Sequence, residues 1–255
     1  MKKIFTLICV VVMAAQSSMI SAQTATMKVW KDGVVTAKYA TADVDSVTFD
    51  SDVENPEDGI YVIKGHRFVD LGLPSGLLWA ETNIGAESAA DDGDYFAWGE
   101  TEVQSDNAYT WDSYSFTFSL TEYNKTDQKV TLDSDDDVAT AKWGSHCYMP
   151  SADDFVELLS NCTWTWASKT TSSNEKINGY QVKSKANDKS IFIPASGGRY
   201  NGKLNSHNSY GSYYTATLEK VGSYNAYCFG FSSTNREVSA GSRSDGHTVR
   251  PVAKL

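Results

Sequence analysis

Ser190-Ile-Phe-Ile-Pro-Ala-Ser-Gly-Gly-Arg-Tyr-Asn-Gly-Lys203, with Tyr210-Gly-Ser-Tyr-Tyr-Thr-Ala-Thr-Leu218, Ala226-Tyr-Cys-Phe-Gly-Phe231 and Asp245-Gly-His-Thr-Val-Arg-Pro-Val252 after it, decides the fold. The short runs Ile191–Ile193, Tyr213–Leu218, Tyr227–Phe231 and Thr248–Val252 read as strands, because β-branched and aromatic side chains suit a half-buried pleated surface. The loops between them have an unusual make-up. From Tyr200 to Asp245, 20 of 46 positions are Ser, Tyr or Asn, a composition that cannot build a core but is the one binding loops use: Tyr for rigid amphipathic area, Ser and Asn for adaptable hydrogen bonds. Solvated loops of a β-rich domain would have a similar composition.

Toward the amino terminus the same texture continues. Tyr61–Ile63, Arg67–Leu71 and Leu77–Ala80 read as strands separated by Gly or Pro-Ser-Gly turns, and Asp94–Glu100 is aromatic and compact. Gln104–Gln128 is polar, aromatic and aperiodic, and is expected to be a long surface excursion. Two segments have helix signals. Asp135–Trp143 places carboxylates first and Lys142 last, the order the helix dipole favours. In Met149–Leu159, Ser151 and Asp154 form a Ser-x-x-Asp capping pattern, and Phe155, Leu158 and Leu159 share one face. Trp164, Trp166, Tyr180 and Val182 suggest two more strands joined by a polar loop over Ser168–Asn178. The fold class expected is α+β, with many short strands, two short helices and long loops.

Residues 1–22 read as a secretory signal peptide: Lys2 and Lys3, an apolar run over Ile4–Ala15, and a small polar end at Ser21-Ala22. Residues 23–49 read as a small β-hairpin module turning at Lys31-Asp32-Gly33, with a third short run over Val44–Phe49. Residues 50–59 read as an acidic linker and 60–255 as the main domain. No later stretch suits a transmembrane helix. Without Lys2 and Lys3 the chain carries 20 basic and 32 acidic side chains, so nucleic acid is not expected as a partner. Beyond the leader the cysteines are Cys147, Cys162 and Cys228, expected as buried thiols, with a Cys147–Cys162 bridge as the alternative.

Val69-Asp-Leu-Gly-Leu-Pro-Ser-Gly-Leu-Leu-Trp-Ala80, Gly93-Asp-Tyr-Phe-Ala-Trp-Gly-Glu100, Met149-Pro-Ser-Ala-Asp-Asp-Phe155, Asn161-Cys-Thr-Trp-Thr-Trp166 and Gly246-His-Thr-Val-Arg-Pro-Val252 together resemble the Fibrobacter succinogenes major paralogous domain over about Ile60 to Val252. The resemblance implies an exported protein with the C-type lectin-like fold of the formylglycine-generating-enzyme type. In that fold the Met-Pro-Ser block opens a helix, and Val-Arg-Pro-Val is the last core strand. The Tyr, Ser and Asn content of Tyr200–Asp245 also resembles the displayed surface of variable proteins of diversity-generating retroelements.

A formylglycine-generating activity would need two neighbouring thiols, and Cys228 stands without a second cysteine in the carboxy-terminal part. No Gly-x-Ser-x-Gly elbow occurs, and the four histidines lack metal-ligand spacing. No catalytic residues and no cofactor are therefore expected. Asp133, Asp135, Asp136 and Asp137 form a candidate calcium cluster whose alternative is a solvated helix cap. Arg199 and Arg250 are expected to salt-bridge within the acidic domain, with capture of an anionic group as the other reading. The expected function is a non-enzymatic, exported binding module for a protein or glycan at a cell surface. Its surface would comprise Tyr200, Asn201, Asn205, His207, Asn208, Tyr210, Tyr213, Tyr224, Asn225, Ser232, Asn235, Arg243 and Asp245. A structural, fimbria-like component is the alternative.

Overall fold

In a computed structural model, which describes residues 26–31, 34–43, 53–116 and 120–255, the chain divides into a unit up to Asp50 and a unit from Ser51 to Leu255. The first holds an antiparallel pair, β1 (Thr26–Lys31) and β2 (Val34–Ala40), followed by a short 3₁₀ turn at Thr41–Asp43. Val29, Val34 and Tyr39 are exposed. The signal peptide and the strand expected over Val44–Phe49 lie outside the described residues.

The second unit opens where a linker was expected. Val53–Glu57 is a strand, β3, paired with β4 (Ile60–Ile63). Asp58 and Gly59 both have positive φ, 53° and 71°, the geometry of the tight turn that matches strand twist. Pro56 cannot donate to a ladder, and it sits on the edge strand where the register shifts between Glu54 and Glu57. A second two-residue turn leads into β5 (His66–Asp70), which pairs with β6 (Leu78–Ala80). The last strand, β16 (Val252–Ala253), then inserts between β6 and β7 (Cys147–Tyr148), closing a six-stranded sheet in the order β3-β4-β5-β6-β16-β7.

Two three-stranded sheets and a small ribbon complete the unit. One sheet is β8 (Cys162–Thr170), β9 (Lys176–Ser184) and β10 (Ser190–Pro194). The loop between β8 and β9 is shorter than expected, because both strands extend to Thr170 and Lys176. The ribbon is β11 (Gly198–Tyr200) with β12 (Lys203–Asn205); the other sheet is β13 (Tyr210–Leu218), β14 (Asn225–Ser232) and β15 (Arg236–Ser242). Of the Thr248–Val252 run only Val252 enters a strand, while Thr248 forms a single bridge to Tyr213.

The helices follow their caps. Asp137 accepts from the amides of Ala139 and Thr140 and starts α1 (Val138–Trp143), while its other oxygen accepts from Met149 N at 2.8 Å. Ser151 and Asp154 close a reciprocal capping box on α2 (Ala152–Asn161), which turns Phe155 and Leu158 into the core.

Period-two alternation divides the interior. Tyr213, Phe229 and Phe231 face one cluster with Trp79, Phe155 and Tyr180, while Tyr214, Ala216 and Cys228 face another with Trp98, Tyr114 and Tyr123. The second cluster corrects the expectation for Gln104–Gln128. Tyr109, Tyr114, Phe116 and Tyr123 are buried there, and the hydroxyls of Tyr109 and Tyr114 donate to the carbonyls of Tyr95 (2.5 Å) and Trp98 (2.6 Å). An aperiodic segment can be core when aromatic bodies fill volume and their polar tips satisfy irregular backbone.

Arg250 ties these parts together. It is fully buried, and neither an internal salt bridge nor anion capture describes it. Nε donates to Asn83 Oδ1 at 2.7 Å, Nη1 to the carbonyls of Ala80 (3.1 Å) and Glu81 (2.8 Å), and Nη2 to Phe192 O at 3.0 Å. Replacing it with Met leaves those acceptors without a donor in a dry interior, each costing roughly 1–3 kcal/mol. Arg250→Met should therefore lower the unfolding free energy by about 3 kcal/mol or more, seen as a lower urea midpoint by tryptophan fluorescence. Arg250→Lys should recover little, because one ammonium cannot reach all four oxygens; a midpoint equal to wild type in either variant would contradict the role.

Candidate binding pocket

Three irregular segments meet at the open end of β14 and β15. The ribbon turn between β11 and β12 projects Tyr200 and Asn201, with Asn201 and Gly202 in positive φ. Beside it, the 108–111 loop is fixed by Gly202 N donating to Ala108 O at 2.9 Å and by the buried Tyr109 hydroxyl. The third segment, Ser242–Gly246, follows β15, and Arg199 and Gly246 exchange both backbone hydrogen bonds at 2.7 Å. Gly246 is required here: a Cβ would stand 2.7 Å from the Tyr109 ring.

Between these segments lies a pocket of about 300 Å³ lined by Tyr109, Thr110, Trp111, Tyr200, Asn201, Ser242, Ser244 and Asp245. Tyr200 is 42% exposed, and Tyr224, 49% exposed, packs edge-on against Trp111 with ring centroids 5.2 Å apart. The Asp245 carboxylate is half-buried and accepts no hydrogen bond or ion pair from the described residues. Burial pushes its pKa up to about 6. The neighbouring His247 is pushed down to about 4 by burial and stacks edge-on to Tyr214.

The thirteen expected surface residues do not form one face. Tyr200, Asn201 and Asp245 line the pocket, and Tyr224 reaches it through Trp111. Asn225, paired with Ser242, begins β14 at that end. At the other end of β14, seven residues and roughly 23 Å away, Tyr210 pairs with Ser232 beside Asn235. His207 and Asn208 belong to a separate acidic pocket region. His207 Nε2 lies 2.7 Å from Asp92 Oδ2, and Asn208 Oδ1 accepts from Asn178 N at 2.6 Å. Asn205 turns its amide back to Lys203 O.

Two of the thirteen are corrected outright. Tyr213 is fully buried, and its hydroxyl donates to Pro194 O at 2.7 Å while accepting from Asn83. Arg243 is also fully buried, stacked over Trp98 at 4.8 Å and donating to the Tyr114 hydroxyl at 3.0 Å. Sequence reasoning missed Trp111 and Tyr109, because Gln104–Gln128 has no period to orient them; the spacing Tyr109-Thr-Trp111 was the available signal.

The four calcium candidates are also split. Asp137 is spent as the α1 cap, Asp136 accepts from the Tyr123 hydroxyl, Asp133 pairs with Lys129, and Asp135 stays exposed. Carboxylates of Glu122, Asp133 and Asp136 do come within 4.8 Å of one another, but protein donors already occupy two of them. Cys147, Cys162 and Cys228 are free and buried, and Cys147 and Cys162 lie in different core clusters, so they form no bridge. Burial raises all three thiols, Cys147 and Cys162 to about 11.

No protein-family model, curated protein or solved structure matches this chain.

The Asp245 shift gives a signed stability test. Its folded-state pKa lies above the ordinary value of 3.8, so the folded form holds its proton more tightly than the unfolded form. The penalty for the buried charge is absent below about pH 4, grows up to about pH 6 and is complete above it. Asp245→Asn should raise the melting temperature at pH 7.5 and leave it unchanged at pH 4, read by circular dichroism; an equal shift at both pH values would contradict burial of an uncompensated charge.

Proposed function

We propose that the chain is an exported, non-enzymatic binding module, a C-type lectin-like domain of the formylglycine-generating-enzyme type, acting at a cell surface or beyond. Its contact surface is the Trp111–Tyr200–Asp245 pocket with Tyr224 at the rim. The observation that carries this reading is the company those side chains keep. Exposed aromatic area, an amide and an unpartnered carboxylate converge on one concavity, held by backbone turns with little freedom to move. Two further features agree with the resemblance behind the scaffold: Pro150 and Ser151 open α2, and Val252 enters the last strand of the central sheet.

The side chains that would make contact lie outside the core clusters. Tyr200 and Tyr224 are more exposed than any tyrosine in the core clusters, so truncating them removes little buried area. Tyr200→Ala combined with Tyr224→Ala should abolish capture of the purified chain by immobilised host and microbial surface extracts while shifting the melting temperature by no more than about 2 °C. Undiminished capture by a folded double variant would refute the assignment.

A further inference from the structure

The binding reading leaves the ligand's chemistry open, and the pocket's charge pattern narrows it. Asp245 is the charged side chain among the lining residues, and its carboxylate accepts no hydrogen bond from the described residues. Neighbouring acids are engaged: Glu100 accepts from the amide and hydroxyl of Ser115, and Asp106 accepts from Ala108 N. Among the described residues no arginine forms an ion pair with Asp245. Arg243 is enclosed by Trp98, Tyr114, Phe116 and Tyr123, and Arg199 lies over the Tyr95 ring at 4.8 Å.

An unpaired carboxylate in a concave, partly dry site costs free energy unless a ligand supplies the counter-charge or donors. The walls add a second preference. Trp111 and Tyr200 offer π-electron density, which attracts cations and the polarised C–H groups around them. An anionic ligand would meet Asp245 and the chain's net charge of −10. A neutral sugar could use Asn201 and Thr110, but the Ser242 and Ser244 hydroxyls are already within 3.0 Å of each other.

We propose that the pocket takes a cationic amine, its ammonium group docked at the Asp245 carboxylate and its carbon shell lying against Trp111 and Tyr200. This rests on the binding reading above and names the ligand class for the same site. A free small amine and an amine borne by a larger surface molecule present the same group to the pocket.

The titration pattern supplies a signature. Groups packed around Asp245 are Tyr109, Tyr214, Cys228 and His247, besides Tyr200 and the two arginines. Burial raises Tyr109 to about 12, lifts Tyr214 and Cys228, and lowers His247 to about 4. Between pH 5 and 7.5 the group among these with a shifted pKa inside the window is Asp245, at about 6. Amine affinity should therefore rise with pH by about tenfold across that interval, following the ionised fraction of the carboxylate.

The test titrates the purified full chain with choline and with 3,3-dimethyl-1-butanol, which has nearly the same shape and no charge, by calorimetry. Expected are saturable choline binding at pH 7.5, at least tenfold weaker binding of the uncharged alcohol, about tenfold weaker choline binding at pH 5, and loss of choline binding in Asp245→Asn while that variant still melts cooperatively at or above the wild-type temperature. Equal affinity for both probes, choline binding that survives Asp245→Asn, or no saturable choline binding would overturn the inference. Capture from surface extracts separates this from failure of the binding reading. Capture lost in Tyr200→Ala but kept in Asp245→Asn and not competed by choline leaves the pocket standing with another ligand, such as a glycan. Capture indifferent to Tyr200→Ala removes the pocket itself.

Discussion

The buried guanidinium of Arg250 is the constraint on which the second unit depends. Burial disfavours its charge, and among the described residues no carboxylate lies within hydrogen-bond reach of it. What stabilises it is a set of fixed dipoles: three backbone carbonyls and the Asn83 amide oxygen. Those acceptors come from the end of β6, the turn after it, and β10, so satisfying one side chain fixes three segments in mutual register. Asn83 carries the network onward, donating to the Tyr213 hydroxyl, which donates to Pro194 O. The short strand β16 would be marginal by its own ladder bonds; Arg250 locks its entry between β6 and β7.

The same economy of polar tips runs through the segment between β6 and α1. With little regular structure there, its backbone carbonyls need partners, and tyrosine hydroxyls supply them at Trp98 and Tyr95, while the Tyr95 hydroxyl reaches out of the segment to Ser196 O. Each tyrosine fills volume with its ring and closes a hydrogen bond with its tip. Arg243 extends the pattern, lying among four aromatic rings while donating to Tyr114. The 108–111 loop of the pocket is therefore anchored from below by the core, against which the half-buried Trp111 packs.

Much of the fold was legible because local chemistry and global structure agree. The Ser151–Asp154 box and the alternating strands of the carboxy-terminal half declare themselves in sequence, whereas the first helix starts at Val138 and not at Asp135, with Asp137 as its buried cap. The edge strand β3 did not, since Asn55-Pro56 and a run of acids mimic a linker while the informative pair was Asp58-Gly59. The site was less legible. Tyr, Ser and Asn are shared by binding loops and by cores whose hydroxyls find backbone partners, so composition could not separate Tyr200 from Tyr213. Strand parity could have done so only with the register known: Tyr213 and Tyr214 face opposite clusters, and both are buried. Arg243 was read as a surface contact and Arg250 as an ion-pair partner, yet burial assigns both to the interior.

A rigid pocket and an unsatisfied carboxylate stand in tension, and the way the structure holds both bears on function. Asp245 sits one residue before Gly246, whose backbone is clamped to Arg199 and whose missing side chain lets the Tyr109 ring approach. The backbone beside the carboxylate is therefore fixed by the same bridge that holds the ribbon turn, and burial raises the carboxyl's pKa. A site held this way gives up some stability in the free state and recovers it when a ligand neutralises the charge, which is how preorganised recognition surfaces convert strain in the unbound protein into selectivity for one kind of partner.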